Sequence, residues 1–166
     1  MDYLGLIDIH TMGNRYDVTP LFADYEAFTA LVTDLAAPFA DVDIDLVAGI
    51  DALGFVLATA VSRHLHKGIL TIRKGGKLPV PTDRISFVDY SGEQKSLEIR
   101  ADAPLSGKNV LLVDEWIETG AQMRAAVQLI EEKNGRIAGI ASINIDENEA
   151  TLALQKQYRC HYIGLE

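Results

Sequence analysis

The chain has 166 residues, of which 15 are basic and 24 are acidic, so its formal net charge is −9. An acidic surface lacks the attraction to phosphate on which nonspecific nucleic-acid binding depends, and we expect no nucleic-acid partner. A single cysteine, Cys160, excludes a disulfide within the chain and a cysteine-rich zinc site. The apolar stretches are too short to span a membrane and no signal pattern opens the chain, so we expect a cytoplasmic protein with no membrane partner.

Apolar runs alternate with amphipathic runs along most of the chain. In chain order, the predicted elements are a strand over residues 4–10, a helix over 24–39, a strand over 45–50, a helix over 53–65, strands over 68–73 and 109–114, a helix over 119–133, and strands over 136–145 and 160–165. Asp24 is the predicted N-cap of the first helix, and Asn134 with Gly135 ends the third. This alternation predicts an α/β fold, in which a parallel β-sheet is flanked by helices. The length suits a single domain over residues 1–166.

The section from about residue 79 to residue 107 breaks the alternation. It contains Pro79, Pro81 and Pro104 among many polar residues, so we expect a long excursion with one short strand near residues 97–100. Long irregular segments in compact domains are often lids over a functional site. An ordinary surface loop is the alternative interpretation.

Polar side chains follow three of the predicted strands at their carboxyl ends, where ligands bind in open α/β sheets. The stretch AGIDALGF carries an acid, IRKGGK carries three cations around a glycine pair, and VDEWIETG carries the adjacent acids Asp114 and Glu115. Ionised carboxylates are costly to bury, so we expect these two at a solvent-accessible strand tip. The amides that begin the following helix suit an anion. Together these features predict a polyphosphate site beside acids that suit ribose hydroxyls and Mg²⁺.

The stretch VLLVDEWIETGAQ resembles the signature of type I phosphoribosyltransferases, which is a hydrophobic strand, two acids, a short loop with Thr-Gly and a helix. The segments RYDVTPLFADYEAF, LVAGIDALGFVLA, TIRKGGKLPVPT and SLEIRADAPLSGKNVLLVD are similar to segments of the adenine members, in the same order. The resemblance covers roughly residues 13–165. It implies a five-stranded parallel sheet with flanking helices, a small hood from the N-terminal segment and a lid over about residues 79–107.

The activity that this resemblance implies is transfer of the phosphoribosyl group from phosphoribosyl pyrophosphate (PRPP) to a purine base. The adenine type is favoured, because no Lys follows ASINID as in the 6-oxopurine branch and residues 80–100 contain no His as in the orotate branch. The products would be a nucleoside monophosphate and pyrophosphate, in purine salvage. The implied cofactor is Mg²⁺, and the implied partners are PRPP, a purine base and a second copy in a homodimer.

The resemblance also implies roles for individual residues. Asp89, Asp114 and Glu115 would be catalytic, with Asp89 as the acid that protonates the purine and the other two on the ribose hydroxyls and, indirectly, on Mg²⁺. Arg15 and Tyr16 would lie at the base. A cis peptide bond is expected in the pyrophosphate loop, between Asp51 and Ala52. The residues implied to bind PRPP are Asp51, Ala52, Leu53, Arg73, Lys74, Lys77, Asp114, Glu115, Glu118, Thr119, Gly120, Ala121 and Gln122.

Several positions depart from the family's pattern. Leu53 stands where the family usually has an arginine, and Ala121 and Gln122 stand where it usually has glycine and threonine. Tyr16 occupies a position where adenine enzymes typically have arginine. These departures leave two alternatives open. One is a regulatory homologue that binds PRPP or a nucleotide with weakened catalysis, and the other is a related transferase with another base or donor.

Glu118 is the most unusual departure, because it adds a negative charge beside the expected 5-phosphate. Two unit charges about 4 Å apart repel by roughly 4 kcal/mol at an effective dielectric constant near 20. We therefore expect the Glu118 side chain to point to solvent, where Lys108 or Arg124 would pair with it. The backbone amides carry the anion site whichever way this side chain points.

Overall fold

The computed structural model describes residues 2–12, 15–89 and 91–165. Within these ranges seven strands form one sheet, in the spatial order β3-β4-β2-β1-β5-β6-β7. The strands are β1 (Leu46–Ile50), β2 (Gly68–Lys74), β3 (Thr82–Val88), β4 (Gln94–Arg100), β5 (Asn109–Ile117), β6 (Arg136–Ile145) and β7 (Cys160–Tyr162). The helices are α1 (Thr19–Ala23), α2 (Tyr25–Ala36), α3 (Leu53–His64), α4 (Ala121–Glu131) and α5 (Glu149–Gln157).

The predicted α/β class is confirmed. Strands β2, β1, β5, β6 and β7 pair in parallel, as the resemblance implied for five strands. Strands β3 and β4 extend this sheet at its β2 edge as an antiparallel hairpin. No helix within the described residues is long and apolar enough to cross a membrane.

The sheet is covered on both faces, which explains why its central strand reads as a continuous apolar run. Leu111 and Val113 of β5 pack in the core shared with α2 and α3. Val110 and Leu112 pack in the core shared with α4. Alternate residues of one strand therefore fill the two cores, and polar residues are displaced to the strand ends.

Two glycines allow α3 to approach the sheet closely. A Cβ atom on Gly49 of β1 would lie 2.6 Å from the carbonyl oxygen of Gly54, and one on Gly54 would lie 2.7 Å from Oδ1 of Asp114. Distances this short leave no room for a methyl group. The helix therefore sits against β1 and against the acidic end of β5 because both positions lack a side chain.

We expect Gly54→Ala to destabilise the protein by about 1–2 kcal/mol. Overpacking costs about 1–3 kcal/mol, and the better helix propensity of alanine returns up to about 1 kcal/mol. Urea unfolding followed by circular dichroism measures this, with Thr59→Ala on the exposed side of the same helix as the control. An unchanged unfolding midpoint for Gly54→Ala would show that the site can accommodate the methyl group.

The N-terminal strand predicted over residues 4–10 is wrong. The chain forms a short 3₁₀ helix over Leu4–Leu6, and Asp8 then makes an isolated antiparallel bridge with Asp17. The physical reason is the spacing of the buried side chains. Tyr3 and Ile7 are both 6% exposed and lie four residues apart, as in a helical turn, whereas Gly5 and Ile9, which a strand would place on the same face, are exposed.

The section predicted as an irregular excursion is largely regular. Strands β3 and β4 pair without a break from Thr82 opposite Arg100 to Val88 opposite Gln94. In β3 the half-buried Ile85 and Phe87 alternate with exposed polar residues. This weak alternation and the flanking prolines conceal the strand, and the strand near residues 97–100 is the second half of the hairpin.

The boundaries of two further elements differ from the prediction. β5 continues beyond the two acids to Ile117, because Trp116 and Ile117 pair with Asn144 and Ile145 of β6. Helix α4 begins at Ala121 and not at residue 119, because Gly120 adopts a left-handed conformation with φ of 80°. Both shifts affect the residues of the candidate site.

Candidate active site

A cavity of about 360 Å³ lies at the carboxyl ends of β1 and β5, which is the edge predicted to bind a ligand. Its volume is within the range of ordinary ligand pockets. Arg15 and Asp89 line this cavity, and so do most of the residues predicted to bind PRPP. The latter are Asp51, Ala52, Leu53, Lys74, Asp114, Glu115, Glu118, Thr119, Gly120 and Gln122.

Asp114 is buried, with 3% of its surface exposed, so the expected solvent-accessible tip is wrong for this residue. Gly54 of α3 lies against its carboxyl group, since a Cβ atom on Gly54 would be 2.7 Å from Oδ1. Its Oδ1 accepts from the backbone N–H of Glu115 at 3.0 Å, and its Oδ2 accepts from Nε2 of Gln122 at 3.0 Å. Burial and the neighbouring Glu115 carboxylate raise the pKa of Asp114 well above its usual range. The two hydrogen bonds hold Asp114 in one orientation. A cation bound nearby would favour its ionised form.

Glu115 is half-buried and lines the cavity beside Asp114. Among the residues that the structure describes, no group of three or more histidine, cysteine or acidic side chains is placed to hold a metal ion. Two carboxylates at an open cavity are the donor set with which Mg²⁺ is usually held, the substrate phosphates completing its coordination. The residues present therefore fit Mg²⁺ bound together with a substrate.

The loop between β5 and α4 has the form of an anion seat. Gly120 adopts a left-handed conformation at the end of the loop, and the first turn of α4 lines the cavity. The N-terminus of α4, with its unpaired backbone amides, therefore lies at the cavity. Nδ2 of Asn148, the N-cap of α5, donates to the carbonyl oxygen of Glu118 at 2.7 Å. This contact connects the loop to the N-terminus of α5.

Neither of the partners expected for Glu118 is observed. Its Oε1 lies 2.6 Å from Nε of Arg15, and its side chain is only 19% exposed. Lys108 pairs with Asp45, and Arg124 donates to the carbonyl oxygen of Ala150. The expected orientation of Glu118 towards solvent is therefore wrong, because a cation from the N-terminal segment draws it to the cavity.

The side of the cavity that is predicted to bind pyrophosphate is less cationic than the sequence suggests. The peptide bond between Asp51 and Ala52 is cis, as the resemblance implied. Arg73 does not line the cavity, since its Nε pairs with Oδ2 of Asp51 at 3.1 Å. Lys77 lies outside as well, and its backbone N–H donates to Glu98. The cavity on this side therefore has the lysine Lys74 and the apolar Leu53.

The hairpin of β3 and β4 brings Asp89 and Lys95 to the cavity. Lys95 was not predicted as a site residue. Its position at the cavity follows from its pairing opposite Phe87, which the sequence does not indicate. The Ser91 hydroxyl and the Lys95 ammonium, 2.9 Å from Oδ2, hold the pKa of Asp89 well below its usual range. Asp89 is thus a carboxylate at neutral pH in this arrangement, and its predicted role as an acid requires these contacts to change.

A second and larger cavity, of about 1490 Å³, lies between the N-terminal segment and the ends of β5 and β6. Tyr16 lines it, and its ring meets the ring of Trp116 edge to face at 5.5 Å. Oδ1 of Asp146 accepts from Nε1 of Trp116 at 2.8 Å and from Nδ2 of Asn144 at 3.0 Å. The sequence does not predict a role in the site for Asn144 or Asp146. Arg15 and Trp116 line both cavities, so the two cavities are neighbours.

The model of the phosphoribosyl transferase domain matches residues 23–162. Adenine phosphoribosyltransferase from Corynebacterium jeikeium is 46% identical over 131 residues, which are 76% of this chain and 62% of that protein. The enzyme from Dinoroseobacter shibae is 46% identical over 125 residues, which are 75% and 69% of the two chains. The structure of the Giardia lamblia enzyme complexed with 9-deazaadenine has a TM-score of 0.88 at 26% identity, and covers 98% of this chain and 94% of that one. The chain therefore belongs to the type I phosphoribosyltransferase family, and these relatives are its adenine members.

Proposed function

We propose that this protein transfers the 5-phosphoribosyl group of PRPP to adenine in purine salvage, giving adenosine monophosphate and pyrophosphate. One observation carries the proposal. The pair Asp114 and Glu115 lies beside the α4 anion seat, in a cavity that shares Arg15 and Trp116 with a neighbouring cavity lined by aromatic and polar side chains. A phosphorylated sugar beside the carboxylates would extend its base past Trp116. The Giardia lamblia enzyme binds 9-deazaadenine, which supports adenine as that base.

In the proposed reaction, the bond between ribose C1 and the pyrophosphate oxygen breaks, and its electron pair leaves with pyrophosphate. The purine N9 forms the new bond to C1, and the N9 proton passes to the released pyrophosphate. The amides of residues 119–122 would bind the 5-phosphate, and Glu115 would contact the ribose hydroxyls. Asp114, oriented by Gln122, would stabilise the positive charge that develops on the ribose ring. Catalysis of this kind consists of positioning and charge stabilisation.

We propose that Asp114 and Glu115 hold Mg²⁺, in part through water. The ion would neutralise the charge of the pyrophosphate group as it leaves. Lys74 supplies a further positive charge on that side of the cavity. The Asp89 and Lys95 pair at the hairpin would cover the reacting groups and limit the access of water.

A steady-state assay tests the proposed function directly. Purified protein is incubated with PRPP and Mg²⁺ and, in separate reactions, with adenine, hypoxanthine, guanine or orotate. We expect adenosine monophosphate and pyrophosphate in equal amounts from adenine, and little product from the other bases. Product from another base in preference to adenine would contradict the assignment of the substrate.

A regulatory homologue with weakened catalysis is the second candidate. It is favoured by Leu53, which brings no charge to the cavity, and by Arg73, whose guanidinium is engaged by Asp51. Calorimetry with Mg²⁺ and PRPP distinguishes the two candidates. Binding of PRPP without product from any base would support the second, whereas turnover with adenine would reject it.

A homodimer, which the resemblance implies, and a cytoplasmic location, which was expected from the sequence, stay predictions. Size-exclusion chromatography coupled to light scattering measures the first. We expect a mass of twice 18.2 kDa.

A further inference from the structure

The ion pair between Arg15 and Glu118 joins two parts of the chain that are 103 residues apart. Glu118 belongs to the loop that would bind the 5-phosphate, and Arg15 belongs to the N-terminal segment. Both residues line the larger and the smaller cavity. The pair therefore stands where the proposed sugar-phosphate and base sites meet, and the inference below rests on the proposed function.

The position of Glu118 creates an electrostatic problem for a phosphate ligand. Its backbone carbonyl oxygen is held by Asn148, so the loop cannot easily turn the residue away. Its side chain is 19% exposed, so solvent screens its charge only in part. An unpaired carboxylate at this point would repel a phosphate dianion seated on the neighbouring amides.

The contact with Arg15 offsets this charge. Nε of Arg15 lies 2.6 Å from Oε1 of Glu118, which is the distance of a charge-assisted hydrogen bond. The two cations nearest in the sequence, Lys108 and Arg124, have contacts with Asp45 and Ala150 instead. The neutralising charge therefore comes from the N-terminal segment and not from the loop's own surroundings.

We propose that Arg15 masks the charge of Glu118 and thereby allows the loop to bind the 5-phosphate. Arg15 is then a positioning residue that acts through Glu118, and its main effect is on the phosphate and not on the base. Affinity for the phosphate is in consequence coupled to the N-terminal segment. Direct contact between Arg15 and the phosphate, or between Arg15 and the base, is the competing role.

A double-mutant cycle separates these roles. Binding of ribose 5-phosphate is measured by titration calorimetry for the wild type, Arg15→Ala, Glu118→Ala and the double variant. We expect Arg15→Ala to weaken binding at least tenfold when Glu118 is present and less than threefold when position 118 is alanine. The control Arg15→Lys keeps a positive charge and should stay within about threefold of the wild type. Thermal melting of each variant shows whether the fold is retained.

Two results would overturn the proposal. An equal loss from Arg15→Ala in both backgrounds would show that Arg15 contacts the ligand itself, and no loss in either would show that Glu118 does not affect the phosphate. Ribose 5-phosphate is the probe because its binding requires no transfer reaction. If the wild type binds ribose 5-phosphate but forms no product from PRPP and any base, the proposed function is rejected and the double-mutant cycle can still be interpreted. If the wild type does not bind ribose 5-phosphate at all, the masking role of Arg15 is overturned.

Discussion

Asp114→Asn should lower kcat/KM for PRPP by about a hundredfold while the protein stays folded. Burial raises the pKa of Asp114, but a bound cation and the positive charge that develops on the ribose favour its ionised form. The substitution removes this charge, and losing one such preorganised group typically costs about 10²–10³ in rate. Stability should change little, because Asp114 is buried and an ionised carboxylate is costly to bury. Rotation of the Gln122 amide would present its oxygen to the new Asn amide, which retains a hydrogen bond at this contact.

Initial rates of adenosine monophosphate formation over a range of PRPP concentrations measure this effect, and urea unfolding checks the fold. Asp102→Asn is the matched control, since Asp102 is exposed, pairs with Arg100 and does not line the cavity. A value of kcat/KM that is unchanged in Asp114→Asn would show that this carboxylate does not act on the reacting sugar.

Glu98→Gln should destabilise the protein by about 3 kcal/mol at pH 7. Glu98 is 1% exposed, its Oε1 accepts from the backbone N–H groups of Lys77 and Leu78, and its Oε2 pairs with Arg84 at 2.7 Å. Charge-assisted hydrogen bonds contribute about 1.5–3 kcal/mol each, and glutamine offers one acceptor oxygen in place of two. The variant would also loosen the connection between β2 and the β3–β4 hairpin.

The pH dependence of this effect has a definite sign. Burial alone would raise the pKa of Glu98, but backbone N–H groups and Arg84 lower it from 4.5 to about 2. The stabilisation from the ionised group is therefore present above about pH 4.5 and is lost as the pH falls towards 2. We expect the difference in unfolding free energy between wild type and Glu98→Gln to be smaller at pH 3 than at pH 7.

Urea unfolding at the two pH values measures both effects. Glu93→Gln is the control, because Glu93 belongs to the loop of the same hairpin and its side chain is 70% exposed. Its effect should be below about 0.5 kcal/mol. A Glu98→Gln variant as stable as the wild type at pH 7 would mean that the buried carboxylate is not needed to hold the hairpin.

The sequence by itself determined the fold class and the edge of the sheet at which the candidate site lies. Both depend on local patterns, namely the apolar run of β5, the amphipathic period of α4 and the polar residues after each parallel strand. The family resemblance predicted the cis peptide bond that is observed between Asp51 and Ala52. The roles of individual residues in binding and catalysis stay predictions until variants such as Asp114→Asn are measured.

The β3–β4 hairpin could not be read from the sequence, because its strands are stabilised by pairing with each other and with β2. Phe87 lies opposite Lys95 in this hairpin, and no sequence pattern near either residue predicts that the two are paired. Lys95 therefore entered the candidate site only with the tertiary structure. The burial of Glu98 has the same origin, since in sequence it is one charged residue in a polar stretch.

The charge partners in the site were decided by tertiary structure alone. From the sequence, Lys108 or Arg124 was expected to form an ion pair with Glu118, yet the partner is Arg15. It also counted Arg73 as a ligand of pyrophosphate, yet this side chain pairs with Asp51. The physical reason is that the energy of an ion pair changes over a few ångströms, whereas the separation of two charges along the chain sets no such distance. Composition and spacing identify which charges are available, and packing of the N-terminal segment and of β2 decides which of them meet.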